Sequence, residues 1–230
     1  MAGHPTIGST FALARVGIIE SPRANFVFSC GIGPVPVSMT WTAGDLAFVW
    51  MSQALPTFGE PLADLSLAAA ALSLSPTAVA GTGLPVQVVS CGVPFLFVPL
   101  TTRSAVDGVS VNRSAFDELL REAKTNAHGL FVFSAQPGAE RAGVYSRMFA
   151  PDLGIVEDPA TGSASGPLGC YLVRHKVVAA DKAENMVSLQ GAKMGRPSHV
   201  HISIGVRDGE IASVRVGGEA VLAGEGTLYI

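Results

Sequence analysis

Short segments rich in Val, Ile, Phe and Thr recur along almost the whole chain, and Gly, Pro and Ser separate them. These residue types favour strands, and the separators favour turns. The predicted strands cover residues 25–30, 35–41, 46–52, 86–90, 94–99, 130–134, 144–149, 186–190, 199–206, 211–216 and 219–222. So many short strands predict a large sheet, and the turns at 208–209 and 217–218 predict antiparallel pairing near its end.

Four helices are predicted between these strands. They are expected over residues 5–18, from residue 61, from residue 114 and over residues 163–175. Pro61 suits a first helical position, with Asp64 in the first turn, and Ser114 suits an N-cap. The proline-rich segment 56–61 is predicted to link two units. The sequence therefore predicts an α+β fold with a mostly antiparallel sheet.

The first and fourth predicted helices begin with the same pattern. Residues 4–9 read HPTIGS and residues 158–163 read DPATGS, so both are X-Pro-x-x-Gly-Ser. Glycine lets backbone N–H groups face outward, and a helix N-terminus carries partial positive charge, which together suit a carboxylate or an oxyanion. Two such ends facing each other would hold one small anion between His4 and Asp158. The alternative is that the two segments are unrelated Pro-Gly turns.

Composition excludes several classes of function. The chain has 15 basic and 18 acidic residues and a net charge of -3, whereas nucleic-acid binding needs clustered Lys and Arg. Polar residues interrupt the most apolar stretch, 62–74, so no membrane span is expected, and no signal peptide is expected either. The wide spacing of Cys30, Cys91 and Cys170 predicts reduced thiols in a cytoplasmic protein.

Charge is distributed unevenly along the chain. Residues 1–100 hold six charged side chains, which are Arg15, Glu20, Arg23, Asp45, Glu60 and Asp64. A surface so poor in charge has little to keep it solvated. We therefore expect this half to be covered by another part of the fold or by another subunit.

The two repeated segments resemble a known family. Residues 3–8 (GHPTIG) and 157–164 (EDPATGSA) are similar to the two signature segments of the phenazine-biosynthesis PhzF-like isomerases. Four further segments are similar to the family in the same order: 89–94, 147–151, 190–197 and 216–218. The resemblance spans the chain from end to end, and segment 157–164 is its most specific part.

The resemblance implies the diaminopimelate-epimerase-like fold, in which two similar domains each wrap a mixed, mostly antiparallel sheet around a central helix. Residues 1–60 would be the remainder of the N-terminal domain and residues 61–215 the C-terminal domain. Residues 216–230 would form a terminal strand that can return to the N-terminal domain. The resemblance also implies a homodimer with no metal and no organic cofactor, and a site between the N-termini of the two central helices.

The resemblance implies roles for six residues. The catalytic positions are His4, Asp158 and Ser163, and the substrate-binding positions are Gly3, Thr161 and Gly162. Asp158 would hold or relay a proton, His4 would hydrogen-bond the substrate or the proton shuttle, and Ser163 would help to bind the substrate carboxylate. The implied reaction moves a proton between carbons of a small cyclic carboxylate, such as a dihydro-hydroxyanthranilate.

One departure from the family pattern bears on activity. The family's main acid/base is a Glu several tens of residues before the Gly-His-Pro segment, and only Met1 and Ala2 precede Gly3. We therefore expect the opening strands and this Glu to be absent from the chain, and Glu20 matches no family motif. Either the true start lies upstream or the protein is catalytically impaired. The alternative function is accordingly a non-catalytic binder of a small carboxylate.

Three other chemistries fit the residues less well. Segment 162–166 (GSASG) is not a nucleophile elbow, because Ala164 stands where the serine must be. His199 and His201 share a strand face, but no third ligand has suitable spacing, so they are predicted to face solvent. A cysteine-dependent racemase of the same fold would need cysteines at both helix N-termini, where none of the three lies.

Overall fold

The computed structural model describes residues 3–31, 33–123, 125, 127–138 and 142–227. Its helices are α1 (Gly3–Arg15), α2 (Leu65–Ala71), α3 (Pro76–Ala80), α4 (Arg103–Asp107), α5 (Arg113–Glu122) and α6 (Gly162–Arg174). Within these ranges no helix combines the length and the apolar character needed to cross a bilayer.

The strands are β1 (Asn25–Cys30), β2 (Gly33–Thr42), β3 (Asp45–Gln53), β4 (Thr57–Pro61), β5 (Gln87–Ser90), β6 (Pro94–Pro99), β7 (Leu130–Ser134), β8 (Val144–Ala150), β9 (Ile155–Asp158), β10 (Met186–Gln190), β11 (Ser198–Arg207) and β12 (Glu210–Gly218). They form one sheet in the order β1-β2-β3-β12-β11-β10-β8-β7-β6-β5-β4, with β9 added beside β8. The pairs β6–β7 and β8–β10 are parallel, so the sheet is mixed and mostly antiparallel, as predicted. Because β12 lies between β3 and β11, it joins the early strands to the later ones.

The sheet curls around α6, which is the central helix of the molecule. Leu168, Tyr171 and Leu172 of α6 are buried, and their cluster includes apolar side chains from β2, β3, β6, β7, β11 and β12. Glycine on α6 lets the strands come close, since a Cβ on Gly169 would lie 2.5 Å from Cγ2 of Ile202. The α+β fold class is therefore confirmed, with the core packed on the inner face of the sheet.

A second cluster fills the other face of the later strands. There α2, α4 and α5 cover β6, β7 and β8, and the buried side chains include Leu72, Val106, Phe116, Leu119 and Leu130. The two clusters leave strands β6, β7 and β8 buried on both faces. This second layer covers the face of the later strands opposite the cluster around α6.

Two predictions about strands are wrong. Segment 56–61, predicted as a link, contains edge strand β4, which pairs with β5. Residues 219–222 form no strand, and 217–218 is not a turn, because β12 continues its pairing with β3 as far as Gly218 opposite Val49. Glycine is needed at Gly217, where a Cβ would lie 2.6 Å from Cε1 of Phe48.

Several predicted helix ends are also wrong, because side-chain caps decide them. Asp64 is the N-cap of α2 and accepts from the Ser66 N–H at 2.9 Å, so the helix does not begin at Pro61. Asn112, and not Ser114, caps α5. Helix α1 ends at Arg15 and does not reach residue 18. The short elements α3, α4 and β9 carry too little periodicity to have been predicted.

The expected domain boundaries fall inside strands. Residue 60 lies in β4, and residues 215 and 216 lie in β12, which pairs on one side with β3 and on the other with β11. The division into two similar domains stays a prediction.

Candidate active site

The N-termini of α1 and α6 touch each other through their glycines. A Cβ on Gly3 would lie 2.5 Å from the Cα of Gly162, and a Cβ on Gly162 would lie 2.8 Å from the Cα of Gly3. No side chain fits at either position without moving a backbone. The two copies of the Pro-Gly-Ser pattern therefore meet in space, and the positive ends of two helix dipoles lie side by side.

His4 connects the start of α1 to the turn that precedes α6. Its Nδ1 lies 2.8 Å from the carbonyl oxygen of Ala160. A carbonyl only accepts, so Nδ1 carries a hydrogen and donates it. In the neutral ring, Nε2 is then the unprotonated nitrogen, free to accept a hydrogen bond or a proton.

The sheet opens beside these helix ends. Strands β11 and β12 pair from His201 opposite Gly217 onward, whereas the first residues of β11 pair with β10 alone. A cleft of ≈ 600 Å³ occupies the opening. Its lining comprises Gly3, His4, Ile7, Gly8, Ala160, Gly162, 197–201 and 216–220. The cleft therefore combines two helix N-termini with three imidazoles, those of His4, His199 and His201.

Three of the six predicted site residues line this cleft, and the other three are not part of its lining. Gly3, His4 and Gly162 belong to the lining. Asp158 and Ser163 are half-buried, and Thr161 is buried, with 5 % of its surface exposed. All six still lie within two short segments that the Gly3–Gly162 contact brings together. Their catalytic and binding roles stay predictions.

A fully buried glutamine holds the turn between β9 and α6. The side-chain oxygen of Gln190 accepts from the Thr161 N–H at 3.0 Å, and its Nε2 donates to the Asp158 carbonyl at 2.7 Å. Nε2 also lies 2.8 Å from the Thr161 hydroxyl, and that hydroxyl lies 2.6 Å from Oδ2 of Asp158. The position of the Asp158 carboxylate thus depends on a side chain from β10.

A buried ion pair supports the same turn from β8. Arg147 donates from Nε and Nη2 to the two carboxylate oxygens of Glu157 at 2.9 and 2.8 Å. Its Nη1 donates to the carbonyls of Val106, Asp107 and Val109. Because Glu157 directly precedes Asp158, this bidentate pair fixes the strand that carries Asp158.

Gln53 connects the end of β3 to the first turn of α6. Its Nε2 donates to the Gly162 carbonyl at 2.8 Å, and its Oε1 is buried with no partner among the described residues. A Cβ on Gly166 would lie 2.0 Å from that Oε1, so only glycine leaves room for the glutamine. Nothing in the sequence pointed to Gln53, whereas Arg147 and Gln190 lay in segments of the resemblance without an assigned role.

One of the two β11 histidines differs from its prediction. His199 is exposed, but His201 is half-buried, with its ring edge-on to Phe48 at 5.1 Å. Burial lowers the pKa of His201, while Glu219 raises it and His199 lowers it further. In the described part of the chain no three His, Cys, Asp or Glu side chains are grouped so that they could hold a metal ion.

The cysteines lie away from the helix N-termini. Cys30 is exposed, whereas Cys91 and Cys170 are buried, and all three are free. A hydrogen bond with Cys91 and burial raise the pKa of the Cys170 thiol, which keeps it protonated. A racemase needs a reactive thiolate, so this thiol serves packing, as predicted for a residue inside the fourth helix.

The sequence and the fold are similar to those of known proteins. A family model described as "Phenazine biosynthesis-like protein" matches residues 1–226. The uncharacterized isomerase mll1393 of Mesorhizobium japonicum is 32% identical over 233 residues, which cover 100% of this chain and 76% of that protein. The trans-2,3-dihydro-3-hydroxyanthranilate isomerase of Pseudomonas aeruginosa is 31% identical over 232 residues, covering 100% and 74% of the two chains.

The crystal structure of a PhzF-family phenazine biosynthesis protein from Bacillus anthracis has a TM-score of 0.80 at 22% identity, covering 95% of this chain and 72% of that one. The diaminopimelate-epimerase-like fold implied by the resemblance is thereby confirmed. Because the family model covers nearly the whole chain and relatives exceed 30% identity along its full length, this chain belongs to the phenazine biosynthesis-like, or PhzF-like, protein family.

Proposed function

We propose that the protein is a cofactor-independent isomerase that moves a proton between carbons of a small cyclic carboxylate. The observation that carries this proposal is the contact between Gly3 and Gly162, which brings two helix N-termini together at one cleft. The substrate named for the Pseudomonas aeruginosa relative supports a dihydro-hydroxyanthranilate or a related cyclic amino acid as the substrate.

The first turn of α6 would bind the substrate carboxylate. The N–H groups of Gly162 and Ser163 are the first of the helix, so they have no acceptor within it. The Ser163 hydroxyl has no hydrogen-bond partner among the described residues and is half-buried. Backbone N–H groups at a helix N-terminus are a general binding site for carboxylates, and the adjoining end of α1 adds to the positive potential.

Asp158 and His4 would handle the proton. Removing a proton from carbon builds negative charge on a conjugated system, and fixed donors aimed at that charge lower the barrier. Asp158 would hold or relay the proton, and Nε2 of His4 would hydrogen-bond the substrate or the proton shuttle. A positioned acid/base contributes about 10²–10⁴-fold to the rate.

Proton exchange in D₂O tests the proposal. Purified protein is incubated with dihydro-hydroxyanthranilate and related cyclic amino acids, and deuterium uptake at carbon is followed by NMR. We expect uptake by the wild type and a loss of about 10²-fold or more in Asp158→Asn. Asp181→Asn is the matched control, because Asp181 is exposed and lies beyond the far end of α6.

Two outcomes would overturn the proposal. Equal exchange by Asp158→Asn and wild type would remove Asp158 from the mechanism. Thermal stabilisation by the carboxylates with no exchange in any of them would instead support the alternative function, a non-catalytic binder using the same helix ends.

Assembly and location form part of the proposal. We propose a cytoplasmic homodimer, supported by the free state of the three cysteines and by exposed apolar side chains such as Val16, Ile18 and Val27. Light scattering coupled to gel filtration measures the mass directly. A mass near 23.6 kDa at micromolar concentration would contradict the dimer.

A further inference from the structure

Among the described residues that line the cleft beside the two helix N-termini, Glu219 is the one acidic side chain. It is exposed and directly follows Gly218, the last residue of β12. The other ionisable side chains of the lining are the imidazoles of His4, His199 and His201. The roles proposed above for the cleft do not use Glu219, so its carboxylate is available for a further one.

Two neighbouring strands fix the place of Glu219 at the opening of the sheet. On one side Gly217 pairs with His201 of β11, and the residues of β11 before His201 pair with β10 alone. On the other side Gly218 pairs with Val49 of β3. The chain therefore leaves the sheet immediately before Glu219, at the point where β11 and β12 separate to form the cleft.

The charge of Glu219 acts inside the cleft, as the neighbouring His201 shows. Burial lowers the pKa of His201, and the carboxylate of Glu219 opposes that shift by raising it. The His201 ring packs edge-on to Phe48 at 5.1 Å and to Trp50 at 6.4 Å. No Lys or Arg of the described ranges pairs with Glu219. Its carboxylate is thus without a full counter-ion and can bind a cationic group of a ligand.

The cleft is therefore positive at one end and negative at the other. The N-termini of α1 and α6 meet at Gly3 and Gly162 and carry partial positive charge. Glu219 adds a full negative charge where β12 ends. A cleft of ≈ 600 Å³ is of the usual size for a small-molecule site, so one ligand can contact both ends.

We infer that Glu219 is a specificity-determining residue that selects substrates with a protonated amino group, so that cyclic amino acids bind in preference to cyclic carboxylates without an amine. The ammonium group would donate to the Glu219 carboxylate, while the substrate carboxylate accepts from the first N–H groups of α6. An amine on a saturated ring carbon is protonated at neutral pH, as the amine of lysine is. The inference rests on the proposed function in taking this cleft as the substrate site.

Binding of two matched acids tests the selection. 2-Aminocyclohexanecarboxylate and cyclohexanecarboxylate differ in the amine, and isothermal titration calorimetry gives the Kd of each. We expect the wild type to bind the amino acid roughly tenfold more tightly, because a hydrogen bond between two charged groups contributes about that factor. In Glu219→Gln this ratio should fall to about one, and cyclohexanecarboxylate should bind no less tightly than before.

Glu210→Gln is the matched control for Glu219→Gln. Glu210 is also an exposed glutamate of β12, but it begins the strand that Glu219 follows and does not line the cleft. This variant should keep the tenfold preference for the amino acid. A preference that falls equally in both variants would show a general effect of net charge and would overturn the inference.

An NMR titration of His201 tests the inference without activity. An ammonium group bound to Glu219 offsets the charge that raises the pKa of His201, so 2-aminocyclohexanecarboxylate should lower that pKa. Cyclohexanecarboxylate should not lower it, and Glu219→Gln should lower it without any ligand.

The outcomes separate this inference from the proposed function. Equal binding of the two acids by the wild type, or an unchanged preference in Glu219→Gln, would overturn the inference alone. A wild type that prefers the amino acid through Glu219 but catalyses no proton exchange would overturn only the proposed function. Binding of neither acid would overturn the inference together with the proposed carboxylate site.

Discussion

Glu157 is a carboxylate almost removed from water, and its charge is balanced by one bidentate arginine. The side chains of Arg147 and Glu157 are 9% and 11% exposed, and Arg147 also lies over the Phe149 ring. Removing one member of such a pair leaves the other as an uncompensated buried charge. We therefore expect Glu157→Gln to lower the free energy of unfolding by about 3 kcal/mol in urea titrations.

An exposed pair in the same protein gives the control for this prediction. Arg113 and Asp117 lie one helical turn apart on α5, with side chains 55% and 52% exposed. Asp117→Asn should change the free energy of unfolding by less than about 1 kcal/mol. Similar decreases in the free energy of unfolding in the two variants would mean that burial does not determine how much the Arg147–Glu157 pair contributes to stability.

His175 makes the stability of the fold depend on pH. Its Nε2 donates to Oε1 of Gln87 at 2.9 Å, and burial, followed by the charge of Arg174, lowers its pKa. The folded state therefore binds this proton less readily than the unfolded state. The contribution of His175 to the free energy of unfolding should be present in full above the pKa of histidine in the unfolded state, about 6.5. It should be lost as the pH falls below that value.

Urea titrations between about pH 7.5 and about pH 5 check this dependence. His175→Gln should reduce the change in the free energy of unfolding with pH without abolishing it. The rest comes from His201, whose pKa is also lowered. A slope that steepens in the variant, or that has the opposite sign in the wild type, would contradict the assignment.

Single residues could be predicted where they belong to the sequence pattern that occurs twice. His4, Asp158 and the glycines beside them stand out because the same pattern occurs twice, and the structure brings both copies together at Gly3 and Gly162. Gln53 and Gln190 could not be predicted in the same way. Each contacts the site from a strand that is distant in sequence. A single glutamine belongs to no sequence pattern from which its hydrogen-bond partner could be predicted.

At the scale of elements, helix α6 and strand β3 are fitted to each other through one glycine. A Cβ on Gly166 would lie 2.0 Å from Oε1 of Gln53 and 2.9 Å from Cγ1 of Val214. Forcing extra volume into such a contact costs about 1–3 kcal/mol. We expect Gly166→Ala to destabilise the protein by that amount and to weaken the hydrogen bond from Nε2 of Gln53 to the Gly162 carbonyl.

A second substitution isolates the glutamine in this contact. In Gln53→Ala the obstructing side chain is gone, so adding Gly166→Ala should cost clearly less than it does alone. The measurement is the free energy of unfolding of the four proteins in the cycle. Strict additivity would show that Val214, and not Gln53, sets the requirement for glycine.

The bounds of helices and strands were predicted well where many residues share one pattern. They were predicted poorly where a single side chain sets the boundary. Strands β6 (PFLFVP), β7 (LFVFS) and β10 (MVSLQ) have the predicted bounds, because apolar residues make up most of each. Helix α5 begins earlier than predicted because Asn112 competes with Ser114 as the cap and accepts the Ala115 N–H at 3.2 Å. Choosing between two neighbouring cap residues needs the path of the chain before the helix.

At the scale of the whole molecule, both tryptophans report on the early strands. Trp41 lies in β2 and Trp50 in β3, whereas circular dichroism at 222 nm reports mainly on the helices that follow. The cluster around α6 contains side chains from β2 and β3 as well as from β6 and β11. We therefore expect one cooperative transition, with tryptophan fluorescence and circular dichroism tracing the same urea curve.

Separate curves would contradict that expectation. If fluorescence changed at a lower urea concentration than circular dichroism, the early strands would unfold on their own while α6 stayed packed. Val49→Ala should shift both curves together, because Val49 is completely buried in the cluster that the early strands share with α6. A shift in fluorescence alone would again separate the halves.

The position of β12 has a consequence for how the protein is made. Strand β3 ends at Gln53, but its neighbour β12 begins only at Glu210, near the end of the chain. At 5–20 residues per second, a ribosome needs roughly 8–30 s to reach it. During that time β3 presents an unpaired edge in the part of the chain that carries the fewest charges. We therefore expect nascent copies on one messenger RNA to be open to strand exchange with their neighbours, and chaperone binding to matter most before β12 emerges.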